Sequence, residues 1–258
     1  PGLYDIAALQ SIYGANETFN SGDNLYNSAY WPMANFNSGG FGGFDIVDTI
    51  WDTGGWDIID MSDQLGGGSI DLREGAFSAI GPNFGLLGIA FGTTLEEAIG
   101  SGFGDLLTGN EQVNHLTGNG GNDILEGYGG DDMMHGNQGN DTFVYKMNDG
   151  NDTINEMAGA GRDTLDVGLF LGLDAFAEDL SFSKLNNNLL VDFTIDGGIS
   201  RGSVTIENQG WGAYRVETLS VLGVDVDLKY LWGQLTSPGQ QFALTSDVGQ
   251  YGLLVSPI

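Results

Sequence analysis

Three consecutive nine-residue segments decide the fold: GNGGNDILE (118–126), GYGGDDMMH (127–135) and GNQGNDTFV (136–144). Each begins with a glycine-rich stretch and carries Asp at its sixth position and a large apolar residue at its eighth. Two weaker copies, GSGFGDLLT (100–108) and GNEQVNHLT (109–117), precede them in the same phase. We number these five copies units 1 to 5. A fixed period of this kind is the signature of a repeat architecture, and it takes precedence over local secondary-structure patterns.

In each unit the first six residues predict a turn and the last three a strand, so that two units complete one coil of a parallel β-roll. The eighth-position residues are expected to stack inward in a thin core: Leu107, Leu116, Leu125, Met134 and Phe143. Units n and n+2 lie on the same side. The sixth-position residues therefore form two ladders, one with Asp105, Asp123 and Asp141, the other with Asn114, Asp132 and the region 149–152.

Stacked carboxylates about 4.8 Å apart repel one another unless a cation lies between them. Calcium suits such turns because it accepts 6–8 oxygen ligands in flexible geometry, including backbone carbonyls, whereas magnesium demands near-octahedral geometry. Zinc is not expected, because the chain has two His and no Cys. The predicted metal-site positions in the repeats are Asp105, Gly118, Gly120, Asn122, Asp123, Gly127, Gly129, Asp131, Asp132, Gly136, Gln138, Asn140, Asp141, Asp149 and Asp152. We expect roughly two to four calcium ions in this array.

The rest of the chain predicts an all-β fold, with the β-roll flanked by β-sandwich-like segments and one short N-terminal helix. The helix spans 5–13 and ends at Gly14, and short strands are expected within 44–52, 56–62 and 69–75. The segment 94–99 (TLEEAI) predicts a helical turn capped by Thr94. After residue 145 an antiparallel pattern is expected in 179–184, 189–195, 203–207 and 214–221. The predicted division is 1–16 (helix), 17–104 (β region), 105–155 (repeats) and 156–258 (β-rich domain and tail).

Composition excludes several classes of partner. The 258 residues carry 7 Lys and Arg against 35 Asp and Glu, a formal charge of −28, which argues against nucleic acid and anionic membrane surfaces. The sequence contains no run near the roughly 18 apolar residues of a membrane span. Cysteine is absent, so no disulfide or thiolate site is available. Since 41% of the residues are apolar, the chain is expected to fold despite its charge.

Other residues allow competing interpretations. His115 and His135 are expected at outward positions of units 2 and 4 rather than as metal ligands. Acidic pairs such as Glu96 and Glu97 would suggest a glycosidase only beside a cleft, which is not predicted. The tryptophans could stack on sugars, but a core role is favoured: Trp31, Trp51, Trp56, Trp211 and Trp232. The apolar tail 252–258 fits a secretion signal, an edge strand for a partner, or disorder.

The repeats resemble those of the RTX (repeats-in-toxin) proteins that bacteria export by type I secretion. Four further segments, DIAALQSIYGAN (5–16), WDTGGWDIIDMS (51–62), IDLREGAFSAIG (70–81) and GIAFGTTLEEAIG (88–100), are similar to the C-terminal region of serralysin-type metalloproteases, in the same order. This resemblance covers about 1–145 and implies Asp52, Gly54 and Asp57 as further calcium ligands. The family's zinc motif H-E-x-x-H-x-x-G-x-x-H and its Met-turn do not occur in this sequence, so no catalytic residues are assigned. Residues 149–221 resemble the β-rich domain that follows RTX repeats in other secreted proteins.

Three functional hypotheses follow. The first is a non-catalytic calcium-binding module of a secreted or cell-surface protein, which folds on calcium binding after export. The second is a calcium-dependent filament, surface-layer or adhesion subunit that assembles through β edges. The third is that the chain is a piece of an active secreted zinc metalloprotease.

Overall fold

The computed structural model describes residues 2–16, 18–27, 48–81, 86–146, 148–156, 161–167, 180–195, 199–209, 216–221, 224–235, 241–246 and 253–257. The N-terminal part contains α1 (Leu3–Tyr13), β1 (Leu25–Tyr26), β2 (Asp48–Ile50), β3 (Ile58–Asp60), β4 (Ser69–Asp71), β5 (Phe77–Ala79), β6 (Leu86–Ile89) and β7 (Glu97–Ile99). The central part contains β8 (Leu106–Thr108), β9 (His115–Gly120), β10 (Ile124–Glu126), β11 (Met133–Gln138), β12 (Thr142–Tyr145), β13 (Asn151–Ile154) and β14 (Thr164–Val167). The C-terminal part contains β15 (Leu180–Leu185), β16 (Asn188–Ile195), β17 (Ile199–Ile206), β18 (Thr218–Val221), β19 (Val224–Asp227), α2 (Leu228–Gln234), β20 (Gln241–Ser246) and β21 (Leu253–Pro257).

The described strands form two sheets, and the chain alternates between them from β7 to β14. Sheet A has the order β1-β3-β7-β9-β11-β13-β17-β16-β15-β20-β21, and sheet B has the order β19-β18-β14-β12-β10-β8-β4-β5-β6-β2. Each repeat unit contributes one strand, and neighbouring strands of the repeats are parallel. The predicted all-β fold with a parallel β-roll is therefore confirmed.

The core consists of two facing rows of apolar side chains. In sheet B, Leu107 pairs with Leu125 and Leu125 with Phe143. In sheet A, Leu116 pairs with Met134 and Met134 with Ile154. All of these side chains are fully buried in one cluster. Complete burial of such a side chain stabilises the fold by roughly 1.5–3 kcal/mol, so the eighth-position residues hold the two sheets together as predicted.

The helical turn predicted at 94–99 is wrong, because Glu97–Ile99 forms β7. This strand lies between β3 and β9, with Ala98 buried opposite Leu116. Six residues are too few to form a stable helix alone, whereas parallel pairing on both sides satisfies the backbone of the strand.

The antiparallel pattern expected after residue 145 holds for β15, β16 and β17, which form a meander. The fourth predicted strand, 214–221, contains β18, which pairs antiparallel with β19 but parallel with β14, and β17 also pairs in parallel with β13. The parallel stacking thus continues beyond residue 155. A second helix, α2, is additional to the predicted elements, because its seven residues are too few to show a helical period.

The core role predicted for the tryptophans is confirmed for Trp51 and Trp232, which pack against buried apolar clusters. Trp31 and Trp211 lie outside the described residues, as do 44–47 of the first predicted strand. Within the tail, Leu253–Pro257 forms the last strand of sheet A, while Gly252 and Ile258 lie outside the described part.

Candidate metal centre

The sixth-position side chains form two hydrogen-bonded ladders on opposite sides of the roll, because successive turns cross between the sheets in opposite directions. In the first ladder, Asp123 Oδ1 accepts from the backbone N–H of Asp105 at 2.8 Å, and Asp141 Oδ1 accepts from that of Asp123 at 2.8 Å. In the second, Asp132 Oδ1 accepts from Asn114 N–H at 2.8 Å. The pairing of units n and n+2 that the spacing predicts is thus present in the structure.

Each ladder continues into a turn outside the nine-residue period. Asp152 Oδ1 accepts from Asp132 N–H at 3.1 Å, and Asp163 Oδ1 accepts from Asp141 N–H at 2.9 Å. We call these turn 6 (148–152) and turn 7 (161–163). Asp163 was missed as a site residue because Asp141, Asp152 and Asp163 are 11 residues apart rather than nine. The signal that could have found it is the Asp-x-apolar pattern of Asp163 and Leu165, which repeats that of the units.

The fifth-position side chains form an outer set of contacts that keeps the turns in register. Asn122 Oδ1 accepts from Asn140 N–H at 2.9 Å, and Asn140 Oδ1 accepts from Arg162 N–H at 2.8 Å. On the other side, Asp131 Oδ1 accepts from Asn151 N–H at 2.9 Å. Turns 6 and 7 therefore stack on units 4 and 5 in the way that unit 5 stacks on unit 3.

Four ladder carboxylates each have one buried oxygen without a hydrogen-bond donor among the described residues. These are the Oδ2 atoms of Asp123, Asp132, Asp141 and Asp152. The four side chains are at most 2% exposed. Burying a carboxylate oxygen without a hydrogen-bond partner costs free energy. Each of these atoms is therefore suited to bind a ligand that supplies the missing interaction.

The backbone four positions earlier accounts for these free oxygens. The residues there have a left-handed conformation, with φ of 73° at Asn119, 69° at Tyr128, 70° at Asn137 and 71° at Asn148. In units 1 and 2 the equivalent residues lack this conformation, and they donate instead: Ser101 N–H to Asp105 Oδ2 and Asn110 N–H to Asn114 Oδ1, both at 2.6 Å. Turns with the left-handed residue thus leave one carboxylate oxygen without a donor, whereas turns without it supply a backbone N–H from within the turn.

The first-position glycines leave space beside these oxygens. A Cβ at Gly118, Gly127 or Gly136 would lie 2.3, 2.1 and 2.4 Å from the Oδ2 of the Asp five residues later. The first position therefore requires glycine for space.

The third-position residues lie at different places. Gly120 ends β9, and Gly129 lies beside the Glu111 carboxylate. Gln138 ends β11, and its backbone carbonyl accepts from Gly121 N–H at 2.8 Å.

The carboxylates of the turns are buried, and burial raises their pKa because it disfavours the charged form. Burial, together with neighbouring carboxylates, raises the pKa of Asp123 and Asp132 to about 7 and that of Asp152 to about 8. Burial also raises the pKa of Asp141. Asp149 lies off the ladder, with Oδ2 accepting from Lys146 N–H at 2.7 Å, and burial raises its pKa to about 6. Burial thus shifts each of these groups toward its protonated form in the absence of a cation.

A second acidic group joins the N-terminal segments. Asp57 is buried, its Oδ1 accepts from Asn24 N–H at 2.8 Å, and its Oδ2 has no donor among the described residues. Asp52 is also buried; its Oδ2 accepts from Tyr26 O–H, and its Oδ1 from Gly54 N–H at 3.3 Å.

Glu96 also belongs to this second group, although the sequence places it in a predicted helical turn. Its Oε2 accepts from Asp57 N–H at 2.8 Å. Burial, with the charges of Asp52 and Glu96, raises the pKa of Asp57 to about 7. Nothing in the sequence links positions 57 and 96, because the contact depends on β3 pairing with β7.

The two histidines lie apart from these groups. The His115 ring packs edge-on against Trp56 at 4.9 Å, and His135 Nδ1 lies 2.8 Å from the carbonyl oxygen of Asn155. Across the described ranges, no three His, Asp or Glu side chains converge into a metal-binding group made of side chains alone. Within the same ranges, no helix has the length and apolar character needed to cross a membrane.

Comparison with known proteins identifies the family. The family model described as "Peptidase M10 serralysin C terminal" matches residues 15–211. Serralysin of Photorhabdus luminescens is 50% identical over 145 residues, which cover 56% of this chain and 30% of that relative. Metalloprotease AprA of Pseudomonas entomophila is 39% identical over 116 residues (45% and 24%), and Serralysin C of Dickeya chrysanthemi is 41% identical over 107 residues (42% and 22%). The matched part of this chain thus spans less than a third of each relative. With its repeats, the three segments 51–62, 70–81 and 88–100 and part of its β-rich domain within the match, the chain belongs to the serralysin C-terminal family of the M10 peptidases.

Proposed function

We propose that this chain is a non-catalytic calcium-binding β-roll module of a secreted bacterial protein. The observation that carries the proposal is the set of four buried Oδ2 atoms without donors, one in each of units 3 to 5 and turn 6. They occur at equivalent positions of stacked turns, and at three of them the oxygen lies against a glycine whose side chain could not be larger. A repeated arrangement of this kind favours a repeated ligand.

The charges favour a divalent cation. The ion pairs found among the described residues are Arg73–Asp71 and Lys146–Glu126, and neither includes a ladder carboxylate. Because side chains alone do not complete a site, backbone carbonyls of the glycine-rich turns would supply further ligands. Calcium accepts such mixed oxygen sets, magnesium tolerates them poorly, and zinc prefers nitrogen and sulfur. Asp57 Oδ2, which has no donor among the described residues, would need backbone carbonyls in the same way to complete a further site near Asp52 and Glu96.

Calcium binding would couple to folding. A chain of charge −28 repels itself in a compact state, and where free calcium is scarce it would remain loose enough for export. Outside the cell, each site that binds only the folded state adds RT ln(1 + [L]/Kd), about 2.7 kcal/mol when free calcium exceeds Kd 100-fold. The secreted location and the export route are part of this proposal and rest on the family.

The test is a calcium titration of the purified chain after treatment with EDTA. We expect far-ultraviolet circular dichroism and the melting temperature to rise with calcium. Isothermal titration calorimetry should give several ions per chain. D123N and D132N should weaken binding, because each removes a buried negative oxygen.

The matched control is D166N, which removes one negative charge from β14, on a face that does not point into the core. It should bind calcium as the parent chain does. Unchanged spectra and melting temperature on calcium addition, or equal effects of D123N and D166N, would contradict the proposal.

A second candidate function is calcium-dependent assembly into a filament, surface layer or adhesive structure. It is favoured by β21, which has one strand neighbour, β20, among the described strands of sheet A, so that its other edge would be available to a further strand. Sedimentation at high protein concentration with and without calcium tests it. A monomer under both conditions would exclude assembly, and a calcium-dependent oligomer would support it.

A third proposal concerns the longer relatives. Proteins named serralysin share this region, so the chain could serve as the calcium-dependent part of a secreted zinc metalloprotease whose catalytic residues lie in another segment. The reading frame upstream of Pro1 tests this. A zinc-protease motif there would support the proposal, and a start codon immediately before Pro1 would exclude it.

A further inference from the structure

Glu156 is an acidic side chain that no repeat position predicts, and it reaches into the turn of unit 5. It is 2% exposed. Its Oε1 accepts from Gly136 N–H at 2.7 Å, and its Oε2 accepts from Asn137 N–H at 3.2 Å. Both donors belong to the turn that contains Asp141, so the Glu156 carboxylate lies at the beginning of that turn.

The strand register explains this position. Ile99 pairs with Thr117, and Thr117 with His135, so Gly100, Gly118 and Gly136 occupy equivalent positions in successive coils. Met134 pairs with Ile154, which places Glu156 at the next equivalent position. The coil that follows unit 5 therefore has a glutamate where the earlier coils have glycine.

The free oxygen of Asp141 and the Glu156 carboxylate share Gly136 as a neighbour. Asp141 Oδ2 lies 2.4 Å from where a Gly136 Cβ would be, and it has no donor among the described residues. Gly136 N–H is the donor to Glu156 Oε1. The buried carboxylates of Asp141 and Glu156 thus both lie beside Gly136.

No basic side chain is paired with either group in the described part of the chain. The pKa of Glu156 agrees with the proximity of other carboxylates. Burial, with the charges of Asp163 and Asp141, raises the pKa of Glu156 to about 8. A divalent ion at this place would neutralise both carboxylates.

We propose that Glu156 is a second carboxylate ligand of a calcium ion bound at Asp141, and that this site binds calcium more tightly than the site at Asp123 in the same ladder. The proposal rests on the calcium binding proposed above. At the turn of unit 3 the corresponding position is Gly136, which offers no side chain. Since calcium affinity rises with the number of charged ligands and the rigidity of the site, the site at Asp141 would fill before the site at Asp123.

The experiment is calcium binding to the full chain, measured by competition with a chromophoric chelator, for the parent chain, E156Q, D123N and E207Q. E207Q is the matched control, because Glu207 is a neighbouring acid whose Oε2 accepts from Asn155 Nδ2 at 2.7 Å. We expect E156Q to weaken the tightest calcium component by roughly 10–100-fold, as is usual when a group of a metal site is lost. D123N should keep that component and lose a weaker one, and E207Q should resemble the parent chain.

Two further results separate this site from its alternatives. Retention of the tight component in E156Q, with loss of binding in D123N, overturns the role of Glu156 and leaves calcium binding intact. Absence of calcium binding in the parent chain overturns both proposals.

Melting temperatures in EDTA and in calcium cover the case in which E156Q folds poorly. A decrease that occurs only in calcium supports the ligand role. An equal decrease in both conditions shows that Glu156 only caps the N–H groups of Gly136 and Asn137, and it overturns the proposal.

Discussion

At the scale of single residues, two positions in each turn control the ladder Asp that follows. A left-handed residue four positions earlier directs its N–H away from the carboxylate, as at Asn119 before Asp123. A glycine five positions earlier leaves space beside the free oxygen, as at Gly118. Units 1 and 2 keep this glycine but lack the left-handed residue, and their sixth-position side chains are satisfied by Ser101 and Asn110. The backbone therefore decides which turns leave a buried carboxylate oxygen without a donor among the described residues.

Substitution of the turn glycine tests this arrangement. G118A would place a Cβ 2.3 Å from Asp123 Oδ2. We expect it to lower the free energy of unfolding in calcium by about 1–3 kcal/mol, as overpacking does, and to weaken calcium binding. Urea unfolding in calcium measures the first effect.

The control is G102A, because nothing lies within 4 Å of a Cβ at Gly102. Its free energy of unfolding should stay within about 0.5 kcal/mol of the parent value. Equal effects of the two substitutions would show that the space beside Asp123 has no special role.

At the scale of elements, each three-residue strand of the roll depends on its neighbours in the sheet. β10 contains only Ile124, Leu125 and Glu126, and it pairs with β8 and β12. Leu125 is fully buried, whereas Ile124 is 44% exposed on the other face. A strand this short is stabilised by stacking of its inward side chain rather than by its own propensity.

Truncation of adjacent residues in β10 measures this difference. L125A should lower the free energy of unfolding by about 2–5 kcal/mol, because it leaves a cavity between the two sheets. I124A should cost much less, since its side chain already contacts solvent. Chemical unfolding of both variants in calcium provides the comparison. Similar losses for the two would argue against the inward row as the core of the roll.

The strands and turns also show which contacts can be predicted from a sequence pattern. The nine-residue period predicted the strands, the inward row and both ladders, because each unit carries its own turn and core residue. It missed Asp163 and Glu156, because the chain departs from the period after unit 5 while its strands stay in register. It also missed Glu96, whose contact with Asp57 requires two segments 39 residues apart to pair as strands. Contacts within one period are readable from sequence, and those that depend on long-range pairing are not.

At the scale of the whole molecule, the folded chain concentrates ionisable groups in a low-dielectric region. The folded-state pKa is raised to about 7 for Asp57, Asp123, Asp132 and Asp163 and to about 8 for Asp152 and Glu156, in each case chiefly by burial. The folded state therefore binds more protons than the unfolded chain between the ordinary carboxyl range near pH 4 and about pH 8. Without calcium, stability should fall as pH rises through this window.

This dependence should reverse when calcium is bound. In EDTA, the urea midpoint should be higher near pH 5.5 than near pH 8, because protons neutralise the buried carboxylates. In saturating calcium, it should be lower near pH 5.5, because protons compete with the ion for the same oxygens. A rise of the midpoint with pH in EDTA would contradict the raised pKa values.

Net charge gives a separate expectation for the calcium-free chain. With −28 charges, self-repulsion should weaken as potassium chloride screens it, so the melting temperature in EDTA should rise with salt. The rise should be smaller in calcium, where bound ions have already reduced the charge. Differential scanning calorimetry at low and high salt measures both slopes, and the opposite ranking would argue against ion binding at the turns.

The alternation of β7 to β14 between the two sheets has a consequence for how the array can change in length. Loss of two units, such as 118–135, would remove one strand from each sheet and return the chain to the sheet it left. Loss of one unit would send every later strand to the opposite sheet, including those of the meander β15 to β17, whose partners among the described strands all belong to sheet A. The number of units in this array can therefore change only in steps of two without moving later strands to the other sheet. Relatives with longer or shorter rolls should differ by even numbers of repeats.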